Sequence, residues 1–194
     1  SSTALAIGAQ AVDLDRDGRT DLIAASGSTL SVRIAGVDGG LSDAASYPVG
    51  PVPALGDFDG AGSPHLLVLA PGDSFALLMN DGTGHFTEVS EKAGVRDPHA
   101  YFGLGIAWFD FDGDGWPDLY VANDSGPNFL YQNQRDGTFK EVAFPMGVAV
   151  SEDGGEQGSM GVAVGDYDNV GRLGLFVTNF AEEYNALYHN ERDH

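Results

Sequence analysis

The feature of this sequence that most constrains its fold is an acidic segment that occurs four times. The copies read VDLDRDGRTDLIAA, GDFDGAGSPHLLVL, FDFDGDGWPDLYVA and GDYDNVGRLGLFVT, and their aspartates begin at Asp13, Asp57, Asp110 and Asp166. The intervals between these starting points are 44, 53 and 56 residues. Periods of this length are typical of solenoids and β-propellers, in which each repeat is one supersecondary unit. The sequence therefore predicts four copies of one structural unit.

Each unit contains further short apolar segments that predict strands. The third segments are STLSVRI, FALLMN, NFLYQN and NALYHN, and the following NDGTGHF and QRDGTF are typical of hairpin turns. Each unit thus predicts four antiparallel strands, with the acidic loop joining the first strand to the second. Four-stranded units at this period are the blades of a β-propeller. We predict an all-β fold, a β-propeller or propeller segment of about four blades, with one helical turn near residues 90–94.

The last unit is predicted to lack its outer strand, because LYHNERDH aligns with LYQNQRDG and ends inside the turn. An unpaired edge is normally covered or blunted. TALAIG at residues 3–8 could close the ring, a partner could supply a strand, or the residues could belong to a longer propeller. A closed ring and an open arc both remain possible. We treat residues 1–194 as a single repeat domain, with repeats at approximately 1–50, 51–95, 96–150 and 151–194.

The acidic loops carry the ligand pattern of a hard-cation site. Oxygen ligands at positions 1, 3, 5 and 9, a backbone carbonyl at position 7 and a glycine at position 6 let alternate side chains curl around one point. Two carboxylates about 5 Å apart otherwise repel by roughly 3 kcal/mol. Calcium is favoured over magnesium because it accepts many oxygens in flexible geometry. The complete predicted sets are Asp13, Asp15, Asp17, the carbonyl of Arg19 and Asp21 in the first loop, and Asp110, Asp112, Asp114, the carbonyl of Trp116 and Asp118 in the third.

The second and fourth loops are predicted to be weaker cation sites. Each keeps only the carboxylates at positions 1 and 3, so there is less repulsion for a cation to neutralise. We therefore expect two strong calcium sites and up to four in all. The weaker candidates are Asp57 and Asp59 in the second loop, where Ala61 and His65 occupy positions 5 and 9, and Asp166 and Asp168 in the fourth, where Val170 and Gly174 do.

The composition favours cations as partners and excludes several others. Nine basic and 29 acidic residues give a net charge of −20, which makes nucleic acid and anionic membrane surfaces poor partners. Hydrophobic residues make up 42% of the chain, which argues against disorder. The absence of cysteine excludes disulfides, thiolate metal sites and cysteine nucleophiles. Because no apolar run approaches the ~20 residues of a membrane span, we predict no membrane insertion.

Several segments carry a resemblance to a known family. YFGLGIAWFDFDGDGWPDL resembles the FG-GAP repeats, also called VCBS repeats, of integrin α-subunit propellers. DLYVANDSGPNFLYQN, SEDGGEQGSMGVAVGDYDN and LFVTNF are similar to segments of the bacterial relatives of cartilage acidic protein, the ASPIC/UnbV-type proteins. The resemblance implies a calcium-binding propeller that is extracellular, on a cell surface or periplasmic, and that binds partners rather than catalysing a reaction. It implies an interaction or adhesion scaffold with a protein or glycan partner and no catalytic residues.

Two other functional classes stay open. A structural subunit could self-associate through the incomplete last blade and build a filament or surface layer, because head-to-tail contacts that do not close make filaments. Less favoured is a haloacid dehalogenase-type phosphatase, with Asp13 as nucleophile and Asp15 as acid/base. That enzyme needs one such motif after a buried parallel strand and helices between strands, whereas the motif here recurs four times.

Two other local patterns, a possible EF-hand and a possible glycosylation site, are not supported by the sequence. An EF-hand would need glutamate at position 12 of each loop, where Ala24 and Val121 stand, and the flanking segments predict strands rather than helices. The sequon at Asn123 is short enough to occur by chance, so we expect it to remain unmodified.

Overall fold

The computed structural model describes residues 9–26, 28–48, 54–69 and 75–191. Within these ranges the chain forms fifteen strands, β1–β15, and one helical turn, α1 (Ser90–Ala93). All strand pairs within the sheets are antiparallel. None of the described residues forms a helix long and apolar enough to cross a membrane. The predicted all-β fold of four-stranded antiparallel units is confirmed.

The first of two compact units, residues 1–91, contains two sheets of four strands in sequential order. The strands are β1 (Ala9–Val12), β2 (Asp21–Ser26), β3 (Thr29–Ala35) and β4 (Leu41–Pro48) in the first sheet, and β5 (Ala54–Gly56), β6 (His65–Leu69), β7 (Phe75–Asn80) and β8 (Phe86–Glu88) in the second. Each sheet therefore has the meander topology of a propeller blade.

The second unit, residues 92–194, contains a sheet of four strands and a sheet of three, again in sequential order. The strands are β9 (Phe102–Phe109), β10 (Asp118–Asp124), β11 (Phe129–Asn133) and β12 (Phe139–Glu141) in the third sheet, and β13 (Ser159–Gly165), β14 (Gly174–Asn179) and β15 (Ala186–Tyr188) in the fourth. We refer to the four sheets as blades 1 to 4.

Side-chain alternation makes blades 1 and 2 pack face to face. Along β2 every second residue is buried, so one face of the strand is covered and the other is half-exposed. Ile23 and Ala25 of the covered face form one cluster with Leu66 and Val68 of β6. The β6 strand is apolar on both faces, since Leu67 is buried as well. The two sheets of the first unit therefore share one apolar core.

Blades 3 and 4 repeat this packing in the second unit. Tyr120 and Ala122 of β10 form one cluster with Leu175 and Val177 of β14. Counted from the first aspartate of each loop, positions 11 and 13 of one blade pack against positions 10 and 12 of the next in both units. The Tyr120 hydroxyl, which is buried, donates to the carbonyl of Val148 at 3.1 Å. The repeat in sequence is therefore also a repeat in packing.

The fourth blade differs from the other three in the part of the chain that the structure describes. It has three strands there, and no described residue forms a fourth strand after β15. Leu187 of β15 is 54% exposed and Phe176 of β14 is 37% exposed. TALAIG at residues 3–8, considered above for closing the ring, and residues 192–194 lie outside the described residues.

Candidate metal centres

All four acidic loops connect the first strand of a sheet to the second, as predicted. Residues 13–20 join β1 to β2, 57–64 join β5 to β6, 110–117 join β9 to β10, and 166–173 join β13 to β14. The glycine at position 6 has a positive φ in the two complete loops, 82° at Gly18 and 90° at Gly115. A Cβ would meet no atom within 4 Å at either position, so the left-handed backbone itself selects glycine there.

The third loop brings three of its predicted ligands to one point. Ligand atoms of Asp110, Asp112 and Asp118 all lie within 4.8 Å of one another. Asp110 also shapes the loop, because its Oδ1 accepts the N–H of Gly113 and its Oδ2 accepts that of Gly115, each at 2.8 Å. Backbone hydrogen bonds therefore hold the negative side chains in a cluster.

Asp118 is the buried member of this cluster, with no exposed surface. Its Oδ2 accepts the N–H of Phe111 at 3.0 Å, and its Oδ1 accepts the N–H of Asn133 at 2.8 Å. Burial, together with the charges of Asp112 and Asp114, raises the pKa of Asp118 to about 7, although the two N–H groups act in the opposite direction. A positive ion at this point would favour the ionised carboxylate.

Asp114 lies outside the group of three, and an arginine of the chain binds it. Arg135, in the turn between β11 and β12, donates Nε and Nη2 to Asp114 Oδ2 at 2.9 and 2.6 Å. Burial raises the pKa of Asp114, but the contact with Arg135 outweighs it and leaves the pKa below its usual value. Gln132 Nε2 likewise donates to Asp112 Oδ2 at 2.7 Å. The loop pattern in the sequence gives no sign of these partners, which come from β11 and from the turn after it.

The first loop brings together three of its predicted ligands, those at positions 1, 3 and 5. Ligand atoms of Asp13, Asp15 and Asp17 lie within 4.8 Å of one another. Burial and the neighbouring carboxylates raise the pKa of Asp15. Asp13 Oδ2 accepts the N–H of Gly18 at 2.9 Å, and Arg19 donates its Nη2 to Asp17. The first loop is thus a second all-carboxylate cluster, and an arginine binds its fifth-position aspartate as in the third loop.

Asp21, the ninth position of the first loop, is outside that group of three. It is fully buried, its Oδ2 accepts the N–H of Leu14 at 2.7 Å, and its Oδ1 accepts the N–H of Ala35 at 2.8 Å. The two bonds match those of the ninth-position aspartate in the third loop and close the loop onto the third strand. The carbonyls of Arg19 and Trp116 stay predicted ligands.

The second loop gathers two aspartates and a histidine. Ligand atoms of Asp57, Asp59 and His65 lie within 4.8 Å of one another. His65 has no exposed surface, its Nε2 lies 3.0 Å from Asp59 Oδ1, and its Nδ1 accepts the N–H of Asn80 at 3.0 Å. Ala61 offers no side-chain ligand, but its N–H donates to Asp59 Oδ1 at 2.9 Å. This donor set lacks the all-oxygen character of the first and third loops.

The fourth loop has the fewest potential ligands. Asp166 accepts two backbone N–H groups of the loop, and Asp168 Oδ2 lies 3.1 Å from Nδ1 of His189. No group of three potential metal ligands among the described residues includes this loop. A Cβ at Gly174, the ninth position, would lie 2.6 Å from the ring of Tyr167, so that ring fills the space of a ninth side chain.

The sequence analysis missed an asparagine that ties one loop to the next. Asn80 donates its Nδ2 to the carbonyl of Leu14 in the first loop at 2.9 Å and to that of Pro64 in its own loop at 3.2 Å. Asn190 makes the same pair of contacts, at 2.7 Å to the third loop and 3.3 Å to its own. The signal in the sequence is the asparagine that ends FALLMN, NFLYQN and NALYHN. The shape of a loop is therefore coupled to the following blade.

The donor atoms define what these loops can do. The first and third loops present clustered carboxylate oxygens, which are the ligands that hard divalent cations prefer. One carboxylate of the third cluster is buried with a raised pKa, and a cation would relieve the charge repulsion that contributes to it. Both loops therefore fit a hard cation, and their all-β scaffold defines the class of the protein as a repeat protein with acidic loops at its blade corners.

Comparison with known families agrees with this class. The profile described as FG-GAP-like repeat matches residues 57–121 and 110–177. The matched segments span more than half of the chain and contain the second, third and fourth loops. The chain therefore belongs to the family of FG-GAP-like repeats, as the resemblance in the sequence predicts.

Curated relatives include cartilage acidic protein 1 from three vertebrates. The chain is 35% identical to the Mus musculus protein over 108 residues, which is 54% of the chain and 16% of that protein. It is also 35% identical to the Homo sapiens protein over 108 residues, and 31% identical to the Xenopus tropicalis protein over 117 residues. The matched part thus spans about a sixth of the length of these relatives.

Two solved structures share the fold at low sequence identity. A lectin of Agrocybe aegerita that recognises non-reducing terminal N-acetylglucosamine matches 94% of this chain and 48% of its own, with a TM-score of 0.50 and 17% identity. BBS1N, crystallised in complex with ARL6DN, matches 97% of this chain and 58% of its own, with a TM-score of 0.52 and 15% identity. At such identities the likeness concerns the propeller-like fold alone.

The sequon at Asn123 lies in the interior of blade 3. Asn123 has no exposed surface, and its Nδ2 donates to the carbonyl of Pro127 at 2.6 Å. Its backbone N–H donates to the side chain of Asn128 at 2.8 Å. A buried amide in this position is not accessible for glycosylation on the folded chain.

Proposed function

We propose that this chain is a non-enzymatic, extracellular calcium-binding scaffold that presents its blade surfaces to a protein partner. Calcium in the first and third loops would fix the connections between the first two strands of blades 1 and 3. The asparagine contacts described above would pass this order on to blades 2 and 4. The similarity to cartilage acidic protein 1 supports an extracellular location.

The observation that carries the proposal is the arrangement of the third loop. Three carboxylates converge within 4.8 Å, and the buried one has a pKa raised to about 7. Like charges held together by the fold are stabilised by a divalent cation, and an all-oxygen set suits calcium.

The direct test is thermal unfolding in EDTA, in calcium and in magnesium. A ligand present at 100 times its Kd stabilises the native state by about 2.7 kcal/mol per site. For a chain of this size that corresponds to a Tm increase of roughly 5 to 10 °C per site. We expect calcium to restore the Tm after EDTA treatment more effectively than magnesium. An unchanged Tm in all three solutions contradicts the proposal.

A matched pair of variants locates the sites. Asp110→Asn and Asp166→Asn change the same position of the third and fourth loops, where both carboxylates accept backbone N–H groups. We expect Asp110→Asn to bind one calcium fewer than the parent chain in calorimetry, and Asp166→Asn to bind the same number. Equal calcium binding by both variants would place the ions elsewhere.

A glycan is the alternative partner, and the fold shared with a lectin is what supports it. Binding to an array of glycans, with and without calcium, separates this alternative from a protein partner. The net charge of −20 continues to argue against nucleic acid.

Self-assembly is a second candidate function, which exposed apolar side chains on blade 4 favour. Leu187 of β15 and Phe176 of β14 are both exposed. Light scattering after size-exclusion chromatography, with and without calcium, tests it. A mass that grows with protein concentration supports assembly, whereas a constant monomer mass removes this candidate.

The phosphatase interpretation has no structural support. Asp13 and Asp15 lie in a loop between two antiparallel strands, and the described helical structure is a single turn. The enzyme class considered above needs parallel strands with helices between them. A phosphatase assay with magnesium, with Asp13→Asn as control, is expected to show no turnover.

A further inference from the structure

The ninth position of the loop distinguishes the second loop from the first and third. Asp21 and Asp118 each accept two backbone N–H groups, one from position 2 of the loop and one from the third strand. His65 occupies the same position and accepts only the second of these, from Asn80, through Nδ1. The imidazole thus takes over one of the two structural bonds of the aspartate.

This hydrogen bond fixes the tautomer of His65. A backbone N–H can only donate, so Nδ1 must present its lone pair to Asn80, and the neutral ring then carries its proton on Nε2. Nε2 lies 3.0 Å from Asp59 Oδ1 in the cluster with Asp57, but its direction does not meet the geometry of a hydrogen bond. The ring is fully buried and packs on Phe58 with its centroid 4.2 Å away. The second loop therefore places an N–H group, and no free lone pair, beside its carboxylates.

We infer that His65 is the specificity-determining residue that makes the second loop independent of calcium, because it places an N–H beside the carboxylates where a ligand would need a lone pair. The inference rests on the proposed calcium sites in the first and third loops. An imidazole that carries hydrogen on Nε2 has no lone pair to offer an ion there. The ninth position, which completes the carboxylate cluster of the third loop, therefore blocks a cation in the second loop.

The charge of Asp59 is consistent with this role. Burial raises the pKa of Asp59, but the contact with His65 and the N–H of Ala61 outweigh burial and lower the pKa below its usual value. The carboxylate is thus stabilised in its ionised form by groups of the chain itself. In the third loop the buried Asp118 shows the opposite shift and has only backbone donors.

In blade 4 the aspartate at position 3 of the loop also lies beside a histidine. Asp168, at position 3, lies 3.1 Å from Nδ1 of His189, which is also 2.8 Å from the hydroxyl of Tyr167. His189 aligns in the repeat with Gln132, which donates to Asp112 in the third loop. Both loops that lack carboxylates at positions 5 and 9 therefore place a histidine beside the aspartate at position 3.

Hydrogen exchange on the unmodified chain tests the inference without any variant. Removing calcium from 100 times its Kd raises the population of open forms by about 100-fold at a loop that binds it. We expect exchange in residues 13–21 and 110–118 to accelerate on this scale in EDTA. Exchange in residues 57–65 should accelerate at least about tenfold less, because Asn80 passes on only part of the order of the first loop. Acceleration in 57–65 equal to that in the other two loops overturns the inference alone. No acceleration in 13–21 and 110–118 overturns the proposed calcium sites and this inference with them.

A pair of variants tests the role of His65 itself. Ala61→Asp with His65→Asp restores the complete ligand pattern, and we expect it to bind one calcium more than the parent chain in calorimetry. Ala61→Asp alone keeps the N–H donor and is expected to bind no additional ion. A gain of one site by Ala61→Asp alone contradicts the inference. If the double variant does not fold, the single variant and the exchange measurement decide the question.

Discussion

The second and third loops join equivalent strands and have the same length, yet they hold their carboxylates in different ways. The third loop buries Asp118 beside other carboxylates, and its pKa is raised to about 7. The second loop buries His65, and Asp59 beside it has a lowered pKa. The two loops therefore differ most in the buried group at position 9, which is a carboxylate in the third loop and an imidazole beside Asp59 in the second.

The largest expected effect on stability comes from removing the ninth side chain of the second and third loops. Asp118→Ala leaves two buried N–H groups without an acceptor and should lower the free energy of unfolding by about 3 kcal/mol in EDTA, with a further loss in calcium. His65→Ala should also lower the free energy of unfolding, and the loss should be the same in calcium as in EDTA. Urea unfolding in both solutions measures these differences. The comparison fails if Asp118→Ala loses no more stability in calcium than in EDTA.

A second prediction concerns the pH dependence that Asp118 gives to the stability and calcium affinity of the third loop. The folded chain protonates Asp118 near pH 7 and the unfolded chain near pH 4, so this group makes the calcium-free protein less stable as pH rises through that window. Calcium needs the ionised carboxylate, so its affinity for the third loop should rise about fifty-fold between pH 5 and pH 7. Calorimetry at several pH values measures the rise. In Asp118→Asn the dependence should be much weaker, and a wild-type affinity that is flat over this range contradicts the assignment.

The asparagine contacts should contribute less, and unequally. Asn80 is buried and Asn190 is half-buried, and each donates to two carbonyls. We expect Asn80→Ala to cost about 2 kcal/mol and Asn190→Ala about 1 kcal/mol, because buried carbonyls lose more when a donor is removed. Urea unfolding measures which of the two variants loses more stability. Hydrogen exchange should also show faster opening of the preceding loop in each variant, and an unaffected preceding loop would argue against coupling between blades.

The smallest expected effect concerns the arginine beside the third loop. Arg135 is exposed and competes with a cation for Asp114. Arg135→Gln should therefore raise calcium affinity by no more than about fivefold, and the gain should shrink at high salt because surface ion pairs are screened. Lys140→Gln, which changes the same charge on β12, serves as the control. A weaker affinity in Arg135→Gln would show that the arginine supports the site.

Repetition is the reason why so much of the fold was predictable. Four copies of one pattern gave the strand order within each blade, the place of the acidic loops between first and second strands, and the helical turn near Ser90. The convergence of the carboxylates at positions 1 and 3 in the first three loops was also predictable, because alternate residues of a tight loop point to one side. The structural role of the residue at position 9 could not be predicted in the same way. Its role depends on the N–H groups of another strand, such as that of Asn133 for Asp118.

The sequence by itself determined that this chain is a repeated all-β protein with two complete acidic loops, because periodic apolar segments and ligand spacing are local properties. Only the tertiary structure decided which carboxylates converge, which are bound by Arg135 or His65, and which asparagines join one blade to the next. The physical reason is that charge and hydrogen-bond partners act through space. Two groups twenty residues apart in the chain can lie within 3 Å of each other once the strands have paired.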